Sequence, residues 1–156
     1  MSDWVEAGQQ APDFELQTDQ GESFRLSAAR GKPVVLFFYP KDDTPGCTIE
    51  ACAFRDRRGE LQERGALVLG VSPDGVASHA AFRDKFDLNF PLLADPDHAV
   101  ADKYGAWQER SMYGRTYMGV ARVTYLIGPD GKVVHRWDKV KVEGHADEVL
   151  AAVNEL

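Results

Sequence analysis

The chain lacks several features that would each indicate a class of protein. No apolar run approaches the length of a transmembrane helix, and residues 1–6 have neither the basic nor the apolar region of a signal peptide. No glycine-rich loop of the GxGxxG or Walker type is present to bind phosphate. The net charge of −7 leaves no basic surplus for nucleic acid or an acidic membrane. We therefore expect a cytoplasmic protein whose partners include neither nucleic acid nor a membrane.

Cysteine is equally scarce, with only Cys47 and Cys52 in 156 residues. Two cysteines five positions apart with no histidine nearby do not make a zinc site, and we expect neither a metal nor another cofactor. In a reducing compartment such a pair is catalytic, redox-active or inert rather than a permanent crosslink. The four histidines are scattered and are interpreted as surface or packing residues: His79, His98, His135 and His145.

The length and composition fit one folded domain over residues 1–156. Apolar runs rich in β-branched and aromatic residues predict buried strands at 34–39 and 66–72. Further strands are predicted at 90–95, 121–127 and 132–137, after a hairpin formed by segments around 13–16 and 23–26. Helices are predicted from residue 45 to a C-cap at Gly65, and at 76–86, 98–104 and 144–156, with one helical turn at 27–31.

The predicted order has parallel crossovers first and a hairpin last, with its turn at residues 128–131. It indicates an α/β fold with a mixed central sheet and helices on both faces. In the helix at 76–86, the side chains expected to face inward are Val76, Ala80, Phe82 and Phe86. Asp97 is expected to cap the helix at 98–104.

The helix that carries both cysteines has a well-defined beginning. Thr44 is a suitable N-cap and Pro45 is favoured at the first helical position, which makes Cys47 the third helical residue. The backbone N–H of Cys47 then has no helical partner, and the positive end of the helix dipole lies beside its sulfur. This position favours the thiolate, the nucleophilic form of cysteine. Gly46, with no side chain, leaves the approach to the sulfur open.

Cys52 lies five positions further along the same helix. An intact helix would hold the two Cα atoms roughly 8–9 Å apart on different faces, whereas a disulfide needs less than about 7 Å. The pair therefore either never bonds or bonds only when the first turns of the helix unwind. The spacing also differs from the C-x-x-C of thioredoxin-type redox sites.

The residues around Cys47 resemble a known active-site motif. Pro40-x-x-x-Thr44-x-x-Cys47 is similar to that of the peroxiredoxins, and the continuation to Cys52 resembles the bacterioferritin comigratory protein, or peroxiredoxin Q, branch. The likeness continues through segments 93–96, 112–114 and 119–127, the last of which contains Arg122, and so covers nearly the whole chain. It implies a thioredoxin-like fold with an N-terminal β-hairpin extension.

The resemblance also implies a chemistry. Cys47 would attack hydrogen peroxide or an alkyl hydroperoxide, with the Thr44 hydroxyl as a donor to oxygen and Arg122 as the cation. Pro40 would shield the site, and the backbone N–H groups of Gly46 and Cys47 would be extra donors.

In this branch Cys52 would be the resolving cysteine. It would form an internal disulfide with Cys47 that a thioredoxin-like reductant reopens, and the protein would be a monomer.

Plainer interpretations of the same residues stay open at the level of sequence. Thr44 could be only a cap, Arg122 a solvated charge, and Glu50 a residue that favours the helix N-terminus. Cys52 could be a packed cysteine, with an intermolecular thiol resolving instead. Two other functions also compete: a disulfide oxidoreductase or redox-regulated binding protein on the same fold, and a non-enzymatic domain with inert cysteines.

Overall fold

The computed structural model describes residues 4–156. Residues 1–3, on which part of the expectation about a signal peptide rests, lie outside the described residues. Between residues 4 and 156, no helix is both long and apolar enough to cross a membrane.

The described residues form nine strands and four α-helices. The strands are β1 (Glu15–Thr18), β2 (Ser23–Arg25), β3 (Val34–Phe38), β4 (Leu67–Ser72), β5 (Leu92–Ala94), β6 (Trp107–Met112), β7 (Arg115–Val120), β8 (Val123–Ile127) and β9 (Val133–Trp137). The helices are α1 (Pro45–Glu63), α2 (Val76–Lys85), α3 (Ala99–Lys103) and α4 (His145–Asn154), and Leu26–Ala29 forms a 3-10 turn.

Seven strands form one mixed sheet in the order β2-β1-β5-β4-β3-β8-β9. The central strand β3 runs parallel to β4 and antiparallel to β8. All five of its side chains are buried, as its continuous apolar sequence predicts. Val35 and Phe37 share a core cluster with residues of α1, α2 and α4, and Leu36 and Phe38 share another with residues of α3 and the N-terminal segment. The helices therefore cover both faces of the sheet, as predicted.

The predicted N-terminal hairpin is formed by β1 and β2. Strand β1 also pairs antiparallel with β5, where Gln17 is the partner of Ala94. The hairpin thus forms one edge of the main sheet. At the opposite edge, β8 and β9 are joined by the predicted turn, in which Gly131 has a φ of +84° and its N–H donates to Gly128.

Three predictions about local structure were wrong or incomplete. Ala80 is exposed, whereas Phe82 is buried as predicted and shares the interior side of α2 with His79, a fully buried histidine. The cap position of α3 is His98, in a left-handed conformation, although the Asp97 carboxylate does accept from the first helical N–H, that of Ala99, over 3.3 Å. The hairpin of β6 and β7, a separate two-stranded sheet, was not predicted.

Candidate active site

Helix α1 begins at the residue that the sequence predicted. Thr44 occupies the N-cap position with an extended backbone (φ −102°, ψ 156°), and Pro45 is the first helical residue. The first helical hydrogen bond runs from the N–H of Thr48 to the carbonyl of Thr44, 2.8 Å. Cys47 is therefore the third helical residue, in the turn whose N–H groups precede the helical ladder.

The Thr44 hydroxyl does not cap the helix. It donates instead to the carbonyl of Lys41, 2.9 Å away, and no side-chain hydrogen bond satisfies the amides at the helix start. The hydroxyl thus stabilises the turn that leads into α1. This leaves the first-turn amides without a competing side-chain acceptor.

Cys47 and Arg122 meet although 75 residues separate them in sequence. Nη2 of Arg122 lies 3.4 Å from Sγ of Cys47, a free cysteine that is 1% exposed. The fold explains the contact, because Phe38 at the end of β3 is the register partner of Val123 at the start of β8. The residue before β8 is consequently held beside the loop and helix that follow β3. Arg122 is therefore not a solvated charge.

A second partner holds the guanidinium from its other side. Nη1 of Arg122 donates to Oε1 of Glu50 over 2.7 Å, and the side chain of Glu50 is fully buried. Burial raises the pKa of Glu50 to about 7, although the charge and hydrogen bond of Arg122 act to lower it. Burial lowers the pKa of Arg122, but Glu50 and Cys47 more than offset this and keep it above its usual value.

The role of Glu50 was not apparent from the sequence. The available signal was its spacing, since a residue three positions after Cys47 lies on the same side of a helix. An acidic residue near a helix N-terminus is normally interpreted as an exposed partner of the dipole, whereas Glu50 points inward to Arg122.

Gly46 makes room for the arginine. A Cβ atom at this position would lie 3.1 Å from Nη2 of Arg122, closer than side chains usually approach. The absent side chain thus admits the guanidinium to the sulfur, a use that the sequence did not indicate. Pro40 is exposed in the loop between β3 and α1, and its shielding role stays a prediction.

Both cysteines are reduced and lie within one continuous helix. Cys52 is half-buried and packs at the edge of the core cluster that also contains Cys47 and Phe37. Because α1 is unbroken from Pro45 to Glu63, this form of the protein holds the two thiols apart. No group of three or more His, Cys, Asp or Glu side chains in residues 4–156 is arranged to hold a metal ion.

Comparison with known proteins defines the class. Residues 7–136 match the AhpC/TSA family. Peroxiredoxin Bcp of Bacillus subtilis is 45% identical over 152 residues, which cover 97% of each chain. Peroxiredoxin Bcp of Escherichia coli K12 is 44% identical over 146 residues, or 94% of each chain. The chain therefore belongs to the AhpC/TSA family and is a peroxiredoxin, a thiol peroxidase.

Solved structures narrow the assignment to a branch. The bacterioferritin comigratory protein of Xanthomonas campestris, studied for its alkyl peroxide reduction activity, has a TM-score of 0.90 and 42% identity, covering 96% of this chain and 98% of its own. A mutant of Xylella fastidiosa PrxQ has a TM-score of 0.93 and is 34% identical. The match covers 99% of this chain and 98% of that one. The branch is that of Bcp and peroxiredoxin Q, and the predicted thioredoxin-like fold is confirmed.

Proposed function

We propose that Cys47 is the sulfur that reduces the peroxide and that Arg122 is the cation that assists it. The single observation that carries this assignment is the 3.4 Å contact between Nη2 of Arg122 and Sγ of Cys47 at the start of α1. The thiolate attacks one peroxide oxygen, the O–O bond breaks, and the second oxygen leaves with a proton as water or an alcohol. Cys47 is left as a sulfenic acid.

Magnitudes indicate which feature of the site matters most. An ordinary cysteine is already a few per cent thiolate at neutral pH, so complete ionisation adds only about thirtyfold to the rate. One preorganised donor to the developing charge contributes about a hundred- to a thousandfold. The donors around the sulfur, Arg122 above all, therefore account for more of the rate than ionisation of Cys47 does.

Thr44, Gly46 and Pro40 complete this proposal. The Thr44 hydroxyl serves as a donor to oxygen once it turns from the Lys41 carbonyl, 2.9 Å away, towards the bound peroxide. The first-turn amides of Gly46 and Cys47 add donors at the positive end of the helix dipole. Pro40, exposed in the same loop, limits the access of water to the sulfur.

Cys52 resolves the sulfenic acid. Its thiol attacks Sγ of Cys47, the disulfide forms and water leaves, which returns both sulfurs to a state that a reductant can recycle. Because both residues lie in the unbroken helix α1, the first helical turns must unwind before the sulfurs meet. An external dithiol of the thioredoxin type then reopens the bond by exchange.

The substrate range and setting follow from the same proposal. We include alkyl hydroperoxides beside hydrogen peroxide, supported by the Xanthomonas relative whose alkyl peroxide reduction has been studied. An internal resolving thiol makes a partner subunit unnecessary, so we propose a monomer formed by a single domain over residues 1–156. Two free cysteines that need a dithiol reductant fit the reducing cytoplasm.

A coupled assay tests the proposal. Reduced protein, hydrogen peroxide, thioredoxin, its reductase and NADPH should consume NADPH in proportion to the enzyme, and Cys47→Ser should abolish this. Full activity of Cys47→Ser would overturn the assignment. Turnover of protein disulfides, with peroxide reacting no faster than with free cysteine, would instead favour a disulfide oxidoreductase.

A further inference from the structure

Helix α2 holds the loop that precedes Cys47 through a buried cluster outside the catalytic contacts. The carboxylate of Asp42, in the loop between β3 and α1, accepts hydrogen bonds from three side chains. Tyr39 donates to Oδ1 over 2.6 Å, and Ser78 and His79 of α2 both donate to Oδ2 over 2.7 Å. Nε2 of His79 lies 2.9 Å from the carbonyl of Leu93 in β5.

The ring of His79 bridges two elements. Nε2 lies 2.9 Å from the carbonyl of Leu93 in β5, and Nδ1 lies 2.7 Å from Oδ2 of Asp42 in the active-site loop. The side chain of His79 is fully buried and that of Asp42 is only 4% exposed. The pair therefore links the loop to β5 through the protein interior.

Asp42 and Tyr39 keep the ionisation states that these hydrogen bonds require. Burial raises the pKa of Asp42, but hydrogen bonds from His79 and Tyr39 more than offset it and hold the pKa below its usual value. Burial and the charge of Asp42 raise the pKa of Tyr39 far above its usual value, so its hydroxyl keeps its proton. Asp74 accepts from the backbone N–H of Asp42 over 2.7 Å.

We propose that His79 and Asp42 are positioning residues that fasten the active-site loop to α2 and β5, and so control how readily the first turns of α1 unwind. The inference rests on the proposed function. Asp42 lies five residues before Cys47, and a second tie, from Lys85 of α2 to Asp43 over 2.8 Å, is exposed and weaker. The buried pair is therefore the main attachment between this loop and α2.

The consequence concerns the fate of the sulfenic acid. While α1 stays folded, a second peroxide can convert Cys47-SOH to the sulfinic acid and release water or an alcohol. When α1 unwinds, Cys52 attacks instead and the disulfide forms. A strong attachment of Asp42 to His79 prolongs the folded state and favours the sulfinic acid. A weakened attachment favours the disulfide.

The chain offers a matched control on the same helix. Arg83 of α2 donates through Nη1 to both carboxylate oxygens of buried Asp19, each over 3.1 Å. This pair fastens α2 to the β1–β2 hairpin rather than to the active-site loop. His79→Gln and Arg83→Gln therefore both alter a side chain that α2 directs to a buried aspartate, but only the first releases the loop.

The experiment measures the peroxide concentration at which half of Cys47 reaches the sulfinic acid during turnover, by mass spectrometry. His79→Gln should raise this concentration about tenfold, the effect of one hydrogen bond to a charged group. Arg83→Gln should stay within about twofold of the wild type. Equal values for the two variants would overturn the inference, even if His79→Gln lowers thermal stability.

A second variant and a rate measurement keep the inference testable. If His79→Gln does not fold, Ser78→Ala can be used, because it removes one hydrogen bond to Asp42. It should raise the peroxide concentration for half-conversion of Cys47 by about threefold. No change would contradict the proposed role of the loop attachment. Slow oxidation of Cys47 in the wild type would instead refute the proposed function.

Discussion

Glu50 accepts a 2.7 Å hydrogen bond from Nη1 of Arg122, whose Nη2 lies 3.4 Å from Sγ of Cys47. One guanidinium therefore connects a buried carboxyl to the sulfur of Cys47. Because both Nη1 and Nη2 of Arg122 are already bound, the side chain does not need to reorganise when charge develops on the peroxide. Such preorganisation makes a hydrogen-bond donor effective.

The first prediction concerns the pH dependence of stability. Burial raises the pKa of Glu50 from 4.5 to about 7, so between these values the folded state binds more protons than the unfolded state. The contribution of Glu50 is therefore complete below pH 4.5 and is lost as the pH rises to about 7, by roughly 3 kcal/mol. In urea unfolding, Glu50→Gln should therefore gain stability relative to the wild type as the pH rises across this range.

The second prediction has the opposite sign. Burial, followed by the charge of Arg122, lowers the pKa of His145 from 6.5 to about 4. Its contribution is present above pH 6.5 and is lost as the pH falls towards 4, which offsets Glu50 between about 4.5 and 6.5. His145→Gln should expose the fall in stability with rising pH that Glu50 causes. An unchanged slope in both variants would contradict these two assignments.

The third prediction separates stability from activity at Gly46. Its Cβ would meet Nη2 of Arg122 at 3.1 Å, so Gly46→Ala should move the guanidinium and slow the oxidation of Cys47 about tenfold. Gly59, in the same helix with nothing within 4 Å of its Cβ position, provides the control. Gly59→Ala should raise the free energy of unfolding by about 0.5–1 kcal/mol and leave the oxidation rate unchanged. Equal oxidation rates in the two variants would show that Gly46 does not make room for Arg122.

The fourth prediction concerns Cys52 and the helix. Peroxide should produce an internal Cys47–Cys52 disulfide, and hydrogen exchange should show that the amides of residues 48–52 lose protection when it forms. Cys52→Ser should still be oxidised quickly at Cys47 but should lose thioredoxin-coupled turnover and keep its helical protection. Intermolecular disulfides alone, or a fully protected helix in the oxidised wild type, would reject internal resolution.

The sequence predicted those parts of the molecule that local chemistry controls. Thr44 and Pro45 define the beginning of α1, and Gly65, with a φ of +74°, follows its end as predicted. The buried strands were found because β3 is continuously apolar and β4 is apolar up to its last residue, Ser72. These features need only neighbouring residues to specify them.

Features that depend on distant partners could not be predicted in the same way. The β6–β7 hairpin is mostly exposed, so no alternation of apolar and polar residues marks its strands. Its turn had one signal, Tyr113-Gly114, where both residues have positive φ. The burial of Glu50 and His79 depends on Arg122 and Asp42, which other elements supply.

The most direct test of the account compares two proteins in which Cys47 is the only thiol. Stopped-flow kinetics would give the second-order rate constant for hydrogen peroxide with Cys52→Ser alone and with Cys52→Ser combined with Arg122→Lys. The lysine keeps the positive charge but lacks the two guanidinium nitrogens that contact Glu50 and Cys47. We predict that Arg122→Lys lowers the rate constant for hydrogen peroxide by at least about a hundredfold. The rate constant for alkylation of the same sulfur by iodoacetamide should fall by less than about tenfold. Peroxide rate constants within about threefold of each other would contradict the claim that Arg122 activates the reaction at Cys47.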